Sequence, residues 1–451
     1  METLRSLAAR LSSGEVSSAQ LVERALERAT DPACEGSRVF TRLLADQARA
    51  AAQAMDRLRA AGAAPSPYAG IPITVKDLFD VAGQVTTAGS RVLQDNPAAE
   101  RDAVAVARLR AAGFVIIGRT NMTEFAYSGL GMNAHYGTPR NPYDRATGRI
   151  PGGSSSGAAV AVTDGMSAAG LGTDTGGSCR IPAALCGIVG FKPTAHRVAK
   201  EGVVPLSTTL DSVGPLARSV DCCALLDAVL TNGPLQTEHP LPLDGLRLGV
   251  PDCYVTEGMD GIVAAAYERA LSHLSAAGAR LLSLPLAMLK EIPQINAKGG
   301  LVGAEAYAWH RPYLERSAHL YDPWVLQRFE AGKSQSAADY IATRTARAQL
   351  IERVGRVTAR VDALLMPTVP IVAPALAELA ETETANRTNL FLLRNPSLAN
   401  FLDRCALSIP CHRQGEAPVG LMLVGEHGDD RRLLAIGRAV ETVIAPEARK
   451  N

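Results

Sequence analysis

Two serine-bearing glycine turns break otherwise apolar sequence, at 151–157 (Pro-Gly-Gly-Ser-Ser-Ser-Gly) and 172–178 (Gly-Thr-Asp-Thr-Gly-Gly-Ser). Their flanks restrict the fold. Residues 158–162 (Ala-Ala-Val-Ala-Val) open a helix directly after the first turn, and 168–172 form a strand running into the second. Glycine adopts backbone conformations that other residues resist, so each turn can redirect the chain tightly between buried elements. Upstream, 70–77 (Gly-Ile-Pro-Ile-Thr-Val-Lys-Asp) is an apolar strand ending in a lysine.

The alternation continues along the chain. Strands are predicted at 71–75, 114–117, 246–250, 280–284, 363–366 and 419–424. Helices are predicted at 102–112 (capped by Asp102 and stopped by Gly113), 219–230, 260–277, 337–358 and 429–444. Strands alternating with helices argue an α/β layer architecture with a largely buried sheet. Residues 1–62 read as helical, with Ser17 and Ser18 as cap candidates, and 63–70 is a proline-marked connection. The expected organisation is an N-terminal helical segment, 1–65, and a main unit, 66–451. Within the latter, a helical region near 286–358 carries Tyr307, Trp309, Tyr313, Tyr321, Trp324 and Tyr340, as local core or as pocket walls.

With 20% charged residues and a net charge of +1, the chain offers no basic tract for nucleic acid and no charge for an anionic membrane. Its eight cysteines form no C-x-x-C pair and read as buried thiols of a reducing compartment. The first residues read as an amphipathic helix and not as a signal peptide, and no apolar run reaches membrane-span length. A cytoplasmic protein is expected.

A serine hydroxyl needs a base before it attacks a carbonyl. Lysine in water is protonated, but burial disfavours its charge and lowers its pKa by up to ~3–5 units. Lys76, delivered inward by a buried strand, can therefore be a neutral base; the bland alternative is a lysine snorkelling at a strand end. Ser178 follows consecutive glycines whose N–H groups, with the dipole of a helix starting near 181–182, suit an oxyanion. Ser154, on the other turn, would relay a proton between Ser178 and Lys76. As a linker, 152–157 conflicts with the structured sequence that follows, and as a phosphate cradle it lacks Gly-Lys-Ser/Thr.

These three motifs, in this order, resemble the amidase signature family, whose Ser–cis-Ser–Lys triad hydrolyses amides. The resemblance places the lysine at Lys76, the bridging serine at Ser154 and the nucleophile at Ser178, 24 residues further on. It implies a mixed, mostly buried sheet with helices on both faces, oxyanion donors from Thr175, Gly176, Gly177 and Ser178, and a cis peptide leading into Ser154. It also implies that Asp174 and Arg180 pair to brace the nucleophile's loop, and that no metal or organic cofactor is required. Residues 138–142, 408–410 and 418–421 extend the likeness to about 15–444. Ser156 departs from the family's usual glycine and Cys179 from a branched apolar residue, with altered packing as the expected result.

Competing readings remain. Residues 153–157 also match a G-x-S-x-G elbow, which would make Ser155 the nucleophile and require His310, His412 or His427 as base. No serine has a lysine three residues later, which excludes a Ser-x-x-Lys arrangement. Within the family, one branch supplies the glutamine-hydrolysing component of a tRNA-dependent amidotransferase, and a non-catalytic binding protein on the same scaffold is a further class. The favoured expectation is a stand-alone hydrolase of small amides, aryl amides or carbamates (urethanes), with a homodimer left open. Tyr127, Gly129 and Met132 are candidate substrate contacts. They suggest an apolar entrance that prefers hydrophobic groups to a carboxylate.

Overall fold

The computed structural model describes residues 2–235 and 239–444. Met1 and 445–451, which the expected segments 1–65 and 66–451 include, lie outside them. Eleven strands form one mixed sheet: β1 (Phe40–Leu43), β2 (Pro72–Lys76), β3 (Val115–Thr120), β4 (Ala169–Asp174), β5 (Val189–Lys192), β6 (Ser212–Ala217), β7 (Arg247–Pro251), β8 (Arg280–Leu284), β9 (Ala363–Pro367), β10 (Ala406–Pro410) and β11 (Gly420–Val424). Their order is β1-β3-β2-β4-β6-β5-β10-β11-β9-β7-β8. The trio β3-β2-β4 is parallel, as is β9-β7-β8, and the strands between them run antiparallel.

Alternation along β4 shows how the sheet is covered on both faces. Ala169 and Leu171 share a cluster with Leu109, Leu225 and Leu226 of the helices Val104–Ala111 and Val220–Leu230. Gly170 and Gly172 face the other way. A Cβ on Gly170 would stand 2.9 Å from Ala158 Cβ in the helix Ser156–Thr163, and one on Gly172 would stand 2.7 Å from Ser155 Oγ. Only hydrogen fits between sheet and helix at these two positions. Thr74 lies beside Gly170 on this face, and two residues on, Lys76 falls on it too.

Strands β5, β6 and β10 escape the sequence reading. β6 contains Gly214 and Pro215, both poor strand residues. It forms because β4 pairs along its whole length, whereas β5 pairs only at Ala217 and Leu216, beyond the proline. The N-terminal residues are not wholly helical. β1 pairs antiparallel with β3 and adds the edge of the main sheet. Ser17 caps the helix Ser18–Thr30 in a reciprocal box with Gln20, as its position suggests. Asp102 does not cap: the helix Val104–Ala111 has no side-chain cap, and the Asp102 carboxylate accepts from Ala82 N–H at 2.8 Å. Among the described residues, no helix is long and apolar enough to cross a membrane.

Candidate active site

Lys76 ends β2 with no exposed surface. Its Nζ donates to Ser154 Oγ at 2.7 Å and to Thr173 Oγ1 at 3.0 Å. Burial drives the amine down to about 8, against the opposing pull of Cys179, Asp174 and Asp211. An amine with that pKa is still mostly protonated at pH 7, by about ten to one. Asp77, the next residue, turns to Arg119 and does not touch the amine: Arg119 Nε donates to its carboxylate at 2.6 Å.

The peptide between Gly153 and Ser154 is cis, as the resemblance implies. Three main-chain bonds hold this turn. Gly153 N–H donates to Gly129 O at 2.8 Å, Thr123 N–H to Ser154 O at 3.2 Å, and Ser155 N–H to Ser178 O at 3.2 Å. The last of these stitches the loop of one candidate serine to the loop of the other. Ser156 is the first residue of the following helix, and its hydroxyl donates to Asn121 O at 3.4 Å. The elbow reading of Ser155 fails on geometry. No strand leads into 151–155, and its buried hydroxyl points to Thr173 O. The histidines it would need are engaged or packed elsewhere, His310 with Tyr321, His427 with Asp403 and His412 against Gly187.

Ser178 follows β4 on a turn organised by Asp174. The Asp174 carboxylate accepts from Gly177 N–H at 2.8 Å, Cys179 N–H at 3.0 Å, Asn400 Nδ2 at 2.9 Å and both sides of the Arg180 guanidinium at 2.8 and 3.0 Å. Burial pushes this carboxyl up, but Arg180, Lys192 and Asn400 outweigh it and hold it at about 2. Arg180 also reaches Pro396 O and Asn400 Oδ1, both at 2.8 Å, and so fastens the helix Pro396–Phe401 to the turn. The expected bracing pair is thus present and fully buried.

The same geometry revises the expected oxyanion set. Gly177, at φ +130°, turns its N–H inward onto Asp174, so that donor is already engaged. Among the described residues, the N–H groups of Thr175, Gly176 and Ser178 have no such partner. Thr175 is held from its side chain, which donates to Asp211. That carboxylate also accepts from Leu206 and Ser207 N–H, at 3.0 Å each. Burial raises Asp211 to about 6 in spite of these bonds.

The candidate substrate contacts divide. Gly129 joins the site directly: its carbonyl receives Gly153 N–H, and its own N–H donates to Asn389 Oδ1 at 2.8 Å. Tyr127 packs on Phe329 with ring centroids 5.0 Å apart, and burial pushes its phenol up to about 12. Met132 packs in an apolar cluster with Leu130, Ile181 and Leu185. Trp309, Tyr313 and Tyr321 gather with His310 around Phe125 and Phe329, as local core. Sequence reasoning missed Thr173, Asp211, Asn389 and Asn400. Thr173 lay inside a motif already singled out, but the other three act across 36 residues or more and carry no local signal.

A family model described as Amidase matches residues 20–434. The chain is 38% identical over 408 residues to 2-amino-5-chloromuconic acid deaminase of Comamonas testosteroni, covering 88% of this chain and 87% of that protein. It is 37% identical to the A subunit of the glutamyl-tRNA(Gln) amidotransferase of Roseiflexus sp. (strain RS-1), covering 95% and 94%. A solved amidase crystal structure superposes with a TM-score of 0.89 at 34% identity, over 98% of this chain and all of that one. Sequence and fold agree over nearly the full length: the chain belongs to the Amidase family, whose members hydrolyse C–N bonds.

Proposed function

We propose that this chain hydrolyses the C–N bond of a small amide through an acyl-Ser178 intermediate. The observation that carries the reading is the 2.7 Å contact between the buried Lys76 amine and Ser154 Oγ, on a turn bonded to the Ser178 turn. In this reading neutral Lys76 takes the Ser154 proton as Ser154 takes that of Ser178. Ser178 Oγ bonds to the carbonyl carbon, and the oxygen turns anionic against the N–H groups of Thr175, Gly176 and Ser178. As the C–N bond breaks, Ser154 hands its proton to the departing nitrogen and recovers one from Lys76. Water, deprotonated by the same relay, then releases the acid. Carbamates present the same carbonyl and leaving nitrogen and fall within the proposal.

The proposed catalytic unit is 66–451, with 1–65 lending it β1, and its place of work is the cytoplasm. Labelling with a fluorophosphonate followed by peptide mass analysis tests the reading. The adduct is expected on Ser178, lost in Ser178→Ala and kept in Ser155→Ala. An adduct on Ser155, or labelling that survives Ser178→Ala, overturns it.

Similarity to the glutamine-hydrolysing component of tRNA-dependent amidotransferases, 37% identical across 95% of this chain in one case, supports a second reading. There the amide is glutamine and the ammonia passes to a partner protein. Glutamine hydrolysis that appears only on adding the other amidotransferase components would favour it over the stand-alone enzyme.

A further inference from the structure

The loop between β5 and β6 is tied to both sides of the candidate site. Directly after Lys76 on the chain, Leu78 O accepts from Val204 N–H at 3.0 Å, and Asp80 N–H donates to Gly202 O at 2.8 Å. Further along the loop, Asp211 accepts the Thr175 hydroxyl at the start of the Ser178 turn. Between these ties, 207–211 closes on itself. Asp211 N–H donates to Ser207 O at 2.9 Å, Leu210 N–H to Ser207 Oγ at 3.2 Å, and Ser207 N–H to the Asp211 carboxylate at 3.0 Å. A displacement of Ser207 is therefore passed to Asp211.

One acid holds this small turn from the far side. Glu305, in the helix Gly300–Ser317, accepts from Ser207 Oγ at 2.6 Å, Thr209 N–H at 3.0 Å, Thr209 Oγ1 at 2.5 Å and Thr208 Oγ1 at 3.3 Å. A further bond comes from Tyr340 OH at 2.8 Å, in the helix Ala337–Thr358. Every one of these partners is neutral. Burial pushes the Glu305 carboxyl up, but the bonds from Ser207, Thr209 and Tyr340 outweigh it and hold it below its ordinary value. Bonds to such a charged acceptor are roughly twice as strong as neutral ones. The nearby Lys200 amine donates to Thr208 O at 2.8 Å and Asp211 O at 3.2 Å, so it grips the same turn by its carbonyls. A continuous path thus runs Glu305–Ser207–Asp211–Thr175, from the helical region to the turn of the candidate nucleophile.

We propose that Glu305 is a positioning residue for the candidate oxyanion site: through Ser207 it fixes Asp211, and through Asp211 the Thr175 end of the Ser178 turn. The inference rests on the hydrolase reading above and adds to that site a residue outside its three motifs. Oxyanion donors act only when they are already aimed at the place where charge develops. A misplacement of about 1 Å, caused by a change remote from the chemistry, costs about 10²-fold in rate. Glu305 touches no reacting atom, so its loss acts on the acylation rate and leaves substrate affinity in place.

Two measurements read the two ends of this path. Hydrogen exchange of the Leu206 and Ser207 amides, which Asp211 accepts, reports the hold on Asp211 without any reaction. Glu305→Ala is expected to speed that exchange at least tenfold and to leave the amides of β2 and β4 unchanged. The kinetics of fluorophosphonate labelling at Ser178 report the other end. The maximal labelling rate is expected to fall at least tenfold in Glu305→Ala, with the half-saturating probe concentration within twofold of wild type. Glu305→Gln, which keeps the size and one accepting oxygen, should recover most of both losses. Thr175→Val combined with Glu305→Ala should label no more slowly than the slower single variant, because both changes break one path. Ser207→Ala removes a single hydroxyl and takes the same tests if Glu305→Ala does not fold, with a loss of at least threefold expected. Wild-type exchange or a wild-type labelling rate in the folded variant, or losses that multiply in the double variant, refutes the role. Exchange that depends on Glu305 in a protein whose Ser178 is never labelled would keep the clamp on Asp211 and refute the hydrolase reading.

Discussion

The Thr175 hydroxyl donates to the Asp211 carboxylate, and Thr175 opens the turn that presents Ser178. Asp211 reaches this position from the loop before β6, tied there by the N–H groups of Leu206 and Ser207. One acid thus fastens the edge of the candidate oxyanion site to a loop 36 residues further along.

This acid gives stability a distinct pH signature. Its carboxyl is raised to about 6 by burial, above its ordinary value, so between about pH 4 and 6 the folded chain holds a proton that the unfolded chain has lost. That contribution is complete below pH 4 and is lost as pH rises through 6, on the order of 3 kcal/mol. Denaturant unfolding at a series of pH values should show the loss in the wild type and a flatter profile in Asp211→Asn. Parallel profiles would mean that Asp211 titrates normally.

Arg180 should be indispensable to the fold. Its buried pair with Asp174 leaves a bare carboxylate if the arginine is removed, a change that costs about 3–5 kcal/mol. Arg180→Met is expected to lower stability by that amount. Arg180→Met combined with Asp174→Asn should be less damaging than the first change alone, because no charge is then stranded. A double variant as unstable as the sum of the singles would contradict the pairing.

Lys76 makes the opposite prediction. Its pKa is lowered to about 8, so the native state gains stability as pH rises from 8 to 10.5 and carries the full penalty below 8. Lys76→Met removes that penalty but leaves the hydroxyls of Ser154 and Thr173 without the amine, at about 1–3 kcal/mol each. The two effects offset, so calorimetry at pH 7 should find the variant folded with a Tm close to the wild type. A large drop in Tm would show that Lys76 is chiefly a structural residue.

Much of this was legible beforehand. Lys76, Ser154 and Ser178 each sit where a glycine or an apolar run marks a strand end or a turn, a local signal that survives without coordinates. The helix 337–358 and the strand 280–284 appear as their periodicity predicts. What failed was non-local. β6 forms against its own proline because β4 pairs along it, and β1 forms within the N-terminal stretch that reads as helical because β3 offers an edge. Asp102 has the chemistry of a cap, yet Ala82 claims its carboxylate. The Gly177 amide has the place of an oxyanion donor, yet the Asp174 carboxylate bends back and claims it. Local pattern marks the candidate residues, but the groups that hold them are chosen by tertiary contacts.

The central claim is that a desolvated Lys76 acts as base for Ser178 through Ser154, and the pH dependence of the acylation rate tests it most directly. Single-turnover acylation of the wild type should rise with pH through about 8, as the amine loses its proton, and then level off. In Lys76→Ala it should fall by about 10²-fold or more and lose that inflection. A wild-type rate that is flat between pH 6 and 9, or near-normal acylation in Lys76→Ala, would contradict the account.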